Sequence, residues 1–427
     1  MNRLVTFCAG GVLAACAAMA AEPPPLDIPP GARQSGMLQE QKDAIAKRVG
    51  YWVGKLADAR SAEDVLAARK GLVADYFRYG PDAQEYLYTC ADATDAAGRK
   101  FLASRAAGDP LRSLKEVNLA MAAARMAQVP IQPLLEAMVA GGNAGVRYFG
   151  WQGYRQVRPR VLAQGMLPAK MMLDAMRKAA AGETDGLVVA ELMDAMALPA
   201  APEAGVPPGT YRSAQEEAFS ILRATWNRLC RELLSGEAAM ADGCLRGLGA
   251  IQALGEGLGN PDDVRKAAMQ MVLNAAYCAS VSYDRAEQLG AAARVAEEAA
   301  ALAARVAAGQ ADDALKEEAD RRSEAAAKLA EKLGVEPRAL TGMGPQAAMA
   351  LSADSLLLRD CEAALNRLSG KTAASKPAAW IRKPLESAAG LERGAAVRLG
   401  VLKWVDELVR EGLTPPKNVF ATATAPS

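Results

Sequence analysis

Apolar residues in this chain recur at the three- and four-residue steps of an α-helix, and prolines stand at many of the breaks between the runs. Val264, Ala268, Met271 and Ala275 follow one another at four, three and four, and so do Val397, Val401, Trp404 and Leu408, which places each set on one helical face. Pro81, Pro110 and Pro130 fall between such runs, where a residue without an N–H does least harm. The pattern predicts helices over about 39–57, 62–79, 82–107 and 111–127. No sustained two-residue alternation marks a strand. Apolar residues make up 51% of the chain, and the abundance of alanine among them favours closely packed helices. The expected fold is all-α, an irregular α-solenoid or superhelical stack of antiparallel helix pairs.

The N-terminus carries Arg3, an apolar run from Leu4 to Ala15 and small residues at Ala18-Met19-Ala20. This is the layout of a secretory signal over 1–20, and the run is too short to span a bilayer. Within it, Leu13-Ala14-Ala15-Cys16 resembles the lipobox of bacterial lipoproteins, which implies lipidation of Cys16; cleavage after Ala20 is the alternative. Both readings expect an extracytoplasmic protein, periplasmic or secreted, touching a membrane only through a lipid anchor.

Residues 21–36, with Pro23-Pro24-Pro25 and Pro29-Pro30, read as a Pro-rich tether. An N-terminal helical lobe is expected over 37–198 and a C-terminal one over 211–414. Between them lies a linker at 199–210 that contains Pro199, Pro202, Pro207, Pro208, Gly205 and Gly209. The C-terminal lobe holds an Ala-rich hairpin over 286–333 that turns near Gly309, with Val295, Ala299, Leu302 and Val306 on one face. It either projects as an arm or packs on its neighbours. Residues 415–427 have no apolar periodicity and read as a disordered tail.

Three segments share a short Gly, Asn or Asp turn followed by Val-Arg and an apolar helix: Asn143-Ala144-Gly145-Val146-Arg147, Asp262-Asp263-Val264-Arg265 and Gly394-Ala395-Ala396-Val397-Arg398. Asn143 and the pair Asn260-Pro261 read as helix starts, with Asn as N-cap and Pro in the first turn. Gly150 and Gly153 stand where the other segments carry larger groups, which makes sense if another helix passes close by. The pattern resembles bacterial HEAT-like repeats of the Val-Arg type. That resemblance implies core positions for Val146, Val264 and Val397, and inter-repeat ladder or surface positions for Arg147, Arg265 and Arg398. Only Asp262 or Asp263 matches the turn acid of that family.

The chain contains no histidine, so Ser-His-Asp and Cys-His nucleophile pairs and His-ligated zinc have no place within it. Lys plus Arg number 50 against 49 Asp plus Glu, a balance that does not suggest a nucleic-acid binder. No motif calls for a cofactor or a metal. Beyond the signal lie Cys90, Cys230, Cys244, Cys278 and Cys361. Cys230 and Cys244 flank the turn at Ser235-Gly236 and are either a disulfide across a helix hairpin or buried thiols.

The densest aromatic and basic cluster is Arg147-Tyr148-Phe149-Gly150-Trp151-Gln152-Gly153-Tyr154-Arg155. It reads first as packing, with Phe149 and Trp151 in the core and the arginines as their solvated neighbours; the alternative is a ligand-binding surface of Arg147, Tyr148, Trp151, Tyr154 and Arg155, because Arg and aromatic rings together form binding hot spots. A second aromatic group, Tyr76, Phe77, Tyr79, Tyr86 and Tyr88 around Gly80-Pro81, reads as structural. The function expected is non-catalytic binding or scaffolding in the cell envelope, with a protein or an envelope polymer as partner. An all-α polysaccharide hydrolase or lyase with paired carboxylates, and a self-associating structural protein, are the alternatives.

Overall fold

The structure, a computed structural model, describes residues 22–104, 108–202, 204–236, 238–310, 312–370, 377–387 and 392–410. The signal segment with Cys16 and the tail at 415–427 lie outside the described residues. Among the described residues there are 17 α-helices and no strand. The first nine are α1 (Pro30–Gln34), α2 (Gln39–Asp58), α3 (Ala62–Tyr76), α4 (Gln84–Ala103), α5 (Arg112–Ala123), α6 (Gln132–Val139), α7 (Ala144–Ala163), α8 (Met166–Gly182) and α9 (Gly186–Met196). Then follow α10 (Pro208–Glu232), α11 (Ala238–Gly257), α12 (Asp262–Ala307), α13 (Asp313–Leu333), α14 (Pro337–Leu340), α15 (Gly344–Leu368), α16 (Arg382–Ser387) and α17 (Glu392–Arg410).

The helix starts follow from the sequence. Ser61 accepts a hydrogen bond from the Asp64 N–H, Asn143 from Gly145, Asp185 from Leu187 and Val188, and Asp312 from Leu315, each cap worth about 1 kcal/mol. One start differs from expectation. Asn260 does not cap α12; it adopts a positive φ of 47°, and its N–H returns to the Gly255 carbonyl, so it closes α11 in the left-handed conformation that Asn tolerates better than most residues. Pro261 is the N-cap of α12.

The helices form a two-row stack of antiparallel pairs. Within pairs, α2 packs on α3, α6 on α7 and α10 on α11; between pairs, from α2 to α10, each helix meets the one two places along the chain, and α11 then meets α15. The first row runs α2, α4, α6, α8, α10, α12, and the second runs α3, α5, α7, α9, α11, α15. One apolar core extends from Ile28 to Leu408 between the rows. The break between α9 and α10 lies against it, and α10 starts at Pro208, within the expected linker: Leu198 and Val206 are buried, and the Tyr211 hydroxyl and Gln215 amide both donate to the Pro199 carbonyl, at 2.9 and 2.8 Å. Core residues continue on both sides of that break.

The Pro-rich stretch before α2 is anchored to the body. Ile28 is buried, its N–H donates to the Tyr79 hydroxyl, that hydroxyl donates to the Leu26 carbonyl, and the Arg33 guanidinium lies 3.9 Å above the Tyr79 ring.

The long hairpin begins earlier than the sequence suggested. The Val264-Arg265 helix runs unbroken through 46 residues to Ala307, about 69 Å at 1.5 Å per residue. Its first half is core, packed on α15. Its second half meets α13 through a small separate core of Ala292, Ala296, Ala326, Ala330 and Leu340. Between 300 and 318 no described residue is buried, so the end of the hairpin projects from the stack, with Gly309 at its turn.

Candidate functional site

The aromatic and basic cluster lies on α7, and the helix sorts it by face. Trp151 and Tyr154 are fully buried and stack with ring centroids 5.3 Å apart. They belong to the core and are out of reach of a ligand. The core-facing stripe of α7 also carries Gly150 and Gly153, where an added Cβ would fall 2.7 Å from Val139 Cγ1 and 2.5 Å from Leu135 Cδ2. The close-passing helix that these glycines imply is α6.

Arg147 serves the architecture. Its Nε and Nη2 donate to both carboxylate oxygens of Glu183, at 2.7 and 2.9 Å, and its Nη1 donates to the carbonyls of Gly141 and Gly142. The other two Val-Arg arginines also bridge helices: Arg265 donates to the Leu368 carbonyl at the end of α15, and Arg398 pairs with Asp284 of α12. Val146 and Val397 are buried, and Val264 packs half-buried against the core.

Tyr148 and Arg155 lie on the opposite face of α7, on the outer surface of the second row, and there they meet residues of α9 and α11. The Arg155 and Arg246 guanidinium groups both donate to Asp194 Oδ2, at 2.9 and 2.6 Å. The same two groups approach the Glu191 carboxylate at 3.8 and 3.6 Å. Gln152 donates to the Tyr148 hydroxyl at 3.2 Å and reaches Glu191 at 3.5 Å, and Asp242 lies 3.4 Å from Arg246 Nε. Burial and the Glu191 charge push the Tyr148 phenol above its ordinary pKa. Two arginines and three carboxylates therefore form one charge network across three helices. Close approach of α9 and α11 makes this contact, since a Cβ on Gly186 would meet the Ala239 carbonyl carbon at 2.4 Å.

Toward α3 the same face changes character. An open depression of about 460 Å³ is lined by Phe77, Met121, Ala124, Arg125, Phe149, Gln152, Arg155 and Gln156. A second, of about 400 Å³, is lined by Arg69, Lys70, Val73, Ala74, Met121 and Arg125. They share Met121 on α5 and Arg125 just beyond its end, so they form one groove across α3, α5 and α7. No acidic side chain lines either depression. Arg69 donates to the Met121 thioether at 2.8 Å, and Arg125 lies 5.7 Å from the Phe77 ring centroid. Among the described residues, no carboxylate pairs with Arg69, Lys70 or Arg125. Phe77 is 45% exposed: it packs edge-on against buried Tyr76, ring centroids 4.8 Å apart, and its outer side faces the groove.

Sequence reasoning located Tyr148 and Arg155 but missed Arg69 and Lys70 on α3 and Arg125 in the turn after α5. The signal was available. None of the three has an acid three or four positions away, whereas Arg99, Arg112 and Arg322 have one and pair with it. A helical cation without such a neighbour is free to face a partner.

Cys230 and Cys244 lie close together across the α10–α11 hairpin, the Cys244 thiol reaching the Leu229 carbonyl at 4.0 Å, and both are unbridged and buried. Cys278 and Cys361 approach them from α12 and α15. Among the described residues, no group of three or more Cys, Asp or Glu side chains is arranged to hold a metal ion. No helix among them is long and apolar enough to cross a membrane.

Comparison with protein-family models, with curated proteins and with solved structures finds no match for this chain.

Proposed function

We propose that this chain is a non-catalytic binding or scaffolding protein of the bacterial cell envelope, and that it engages its partner along the outer face of the second helix row. The observation that carries the reading is the groove across α3, α5 and α7, where Arg69, Lys70 and Arg125 stand beside Phe77, Phe149 and Met121 without an acidic neighbour. Desolvated Arg and aromatic side chains dominate binding energy at protein surfaces, and stacked helix pairs offer such side chains on a broad frame. Hydrolysis by paired carboxylates needs one raised and one ionised acid. On this face the acids that converge, Glu191 and Asp194, are both engaged by Arg155 and Arg246.

The envelope location rests on the N-terminal segment alone, and membership among HEAT-like repeats rests on the Val-Arg segments together with the alternating pair contacts. Intact mass of the exported protein tests the location: a chain beginning at acylated Cys16 or at Ala21 supports it, and an unprocessed Met1 start overturns it. For the binding face, a photoreactive amino acid at Gln156 or Leu187, on the second row, is compared in living cells with one at Lys47 on the first row. Discrete adducts from the second-row positions alone are expected. Equal adducts from both rows, or none, would overturn the assignment.

A further inference from the structure

We infer that the α3–α5–α7 groove holds a short, extended, acidic segment of a partner protein, with bulky apolar side chains between its carboxylates. This deepens the binding reading and rests on it. Charge complementarity is the first argument: the groove gathers Arg69, Lys70 and Arg125 with no lining acid, although the whole chain carries a net charge of only +1. The concentration of positive charge is therefore local and built by the stacking of the helices. Arg155 at its far edge adds none, because it is already paired with Asp194 and Glu191.

Spacing is the second argument. Arg69 stands on α3 and Arg125 in the turn that closes α5, second-row neighbours of the kind whose axes lie about 8–10 Å apart. An extended chain advances ~3.3 Å per residue, so carboxylates about three positions apart match these two arginines. Crossing the groove from α3 to α7 then takes six or seven residues by the same rise, roughly 20 Å. A bidentate guanidinium–carboxylate pair at Arg69 and another at Arg125 fix the register.

The lining between the cations is the third. Val73, Ala74, Met121, Phe77, Ala124 and Phe149 give both depressions an apolar character that accepts Leu or Phe side chains. A sulfated or carboxylated polysaccharide has no such groups to offer and needs rows of hydrogen-bonding partners, whereas the uncharged polar side chains here are Gln152 and Gln156.

The probe is a fluorescein-labelled eight-residue peptide with Glu at every third position and Leu or Phe between, titrated with the full chain by fluorescence anisotropy. Saturable binding is expected, weakened at least tenfold by Arg125→Glu and by Arg69→Glu, weakened by salt, and absent for the same peptide with Lys in place of Glu. The two substitutions are at solvent-facing positions, and thermal melts confirm that the variants remain folded; Phe77→Ser provides an uncharged variant that must also weaken binding. No binding of the acidic peptide, binding untouched by all three variants, or equal affinity for dextran sulfate or phosphatidylglycerol vesicles would overturn the inference. The cellular photo-adduct at Gln156 separates the two levels. An adduct that the acidic peptide does not displace sinks this inference and leaves the binding face standing, whereas no adduct from the face sinks both.

Discussion

Arg147 grips both carboxylate oxygens of Glu183, 36 positions further along the chain, at 2.7 and 2.9 Å. The bond ties the first turn of α7 to the turn that precedes α9, and Glu183 in its turn accepts the Thr184 and Asp185 N–H groups. One guanidinium thus orders the start of the helix that presents Glu191 and Asp194 to the proposed binding face.

Removing that guanidinium leaves a buried carboxylate without its partner. Arg147→Ala is expected to destabilise the fold by about 3 kcal/mol near neutral pH. Burial pushes the Glu183 carboxyl up, but the hydrogen bonds from Arg147, Asp185 and Thr184, with the Arg147 charge, outweigh it and hold it below its ordinary 4.5. A depressed carboxyl stabilises the fold above its unfolded pKa, and this contribution is lost as pH falls through the folded value. Urea unfolding should therefore show the gap between wild type and variant shrinking from pH 7 to roughly pH 3. A gap independent of pH would show that the bond does not act through the ionised carboxylate.

The buried thiols make a second test. Burial pushes Cys90 and Cys278 up to about 12, and Cys230 and Cys361 are driven well above their ordinary value by the same cause. A thiol reagent at pH 8 should label none of the five in the native protein and all five, Cys90, Cys230, Cys244, Cys278 and Cys361, after unfolding without reductant. Only three labels after unfolding would mean a bridge, for which Cys230 and Cys244 are the facing pair.

Much of the fold was legible because it is written locally. The helix predicted over 39–57 spans Gln39–Asp58, and Gly150 and Gly153 signalled the close passage of α6. Local rules failed where a residue had two roles available. Asn260 reads equally well as an N-cap or as a left-handed closure, and the preceding helix decided between them through the Gly255 carbonyl. The binding face was half legible. Tyr148 and Arg155 stand in one sequence cluster, but Arg69 and Arg125 come together only when α3 stacks on α5, which no local spacing encodes. In the same cluster, the reading of Trp151 as core holds, its helical phase burying it fully.

The approach of α9 to α11 sets the geometry of the Glu191–Asp194 network, and Gly186 sets that approach. A Cβ there would lie 2.4 and 2.5 Å from the Ala239 carbonyl carbon and the Met240 nitrogen, and backbone cannot give way as a flexible side chain can. Gly186→Ala is expected to cost about 1–3 kcal/mol or more and to part α9 from α11. A melting curve for this variant indistinguishable from wild type would show that the contact is looser than described.

Asp354 gives the fold a pH dependence of opposite sign to that of Glu183. It sits on α15 against α12, 2% exposed; its Oδ2 has no hydrogen-bond partner among the described residues. Burial pushes its carboxyl up from 3.8 to about 7, against a lowering hydrogen bond with Ser282. A raised carboxyl favours the folded state while it is protonated in that state, so its contribution is whole below the unfolded value of 3.8 and is lost as pH rises through about 7. The loss is on the order of a few kcal/mol. Asp354→Asn keeps the shape and a neutral polar group, and removes the titration. Urea midpoints should therefore fall for wild type, relative to Asp354→Asn, between roughly pH 5 and pH 8, with the variant the more stable of the two at the upper end. Midpoints that run parallel across that range would mean that water reaches the carboxylate and that the α12–α15 seam is open at this point.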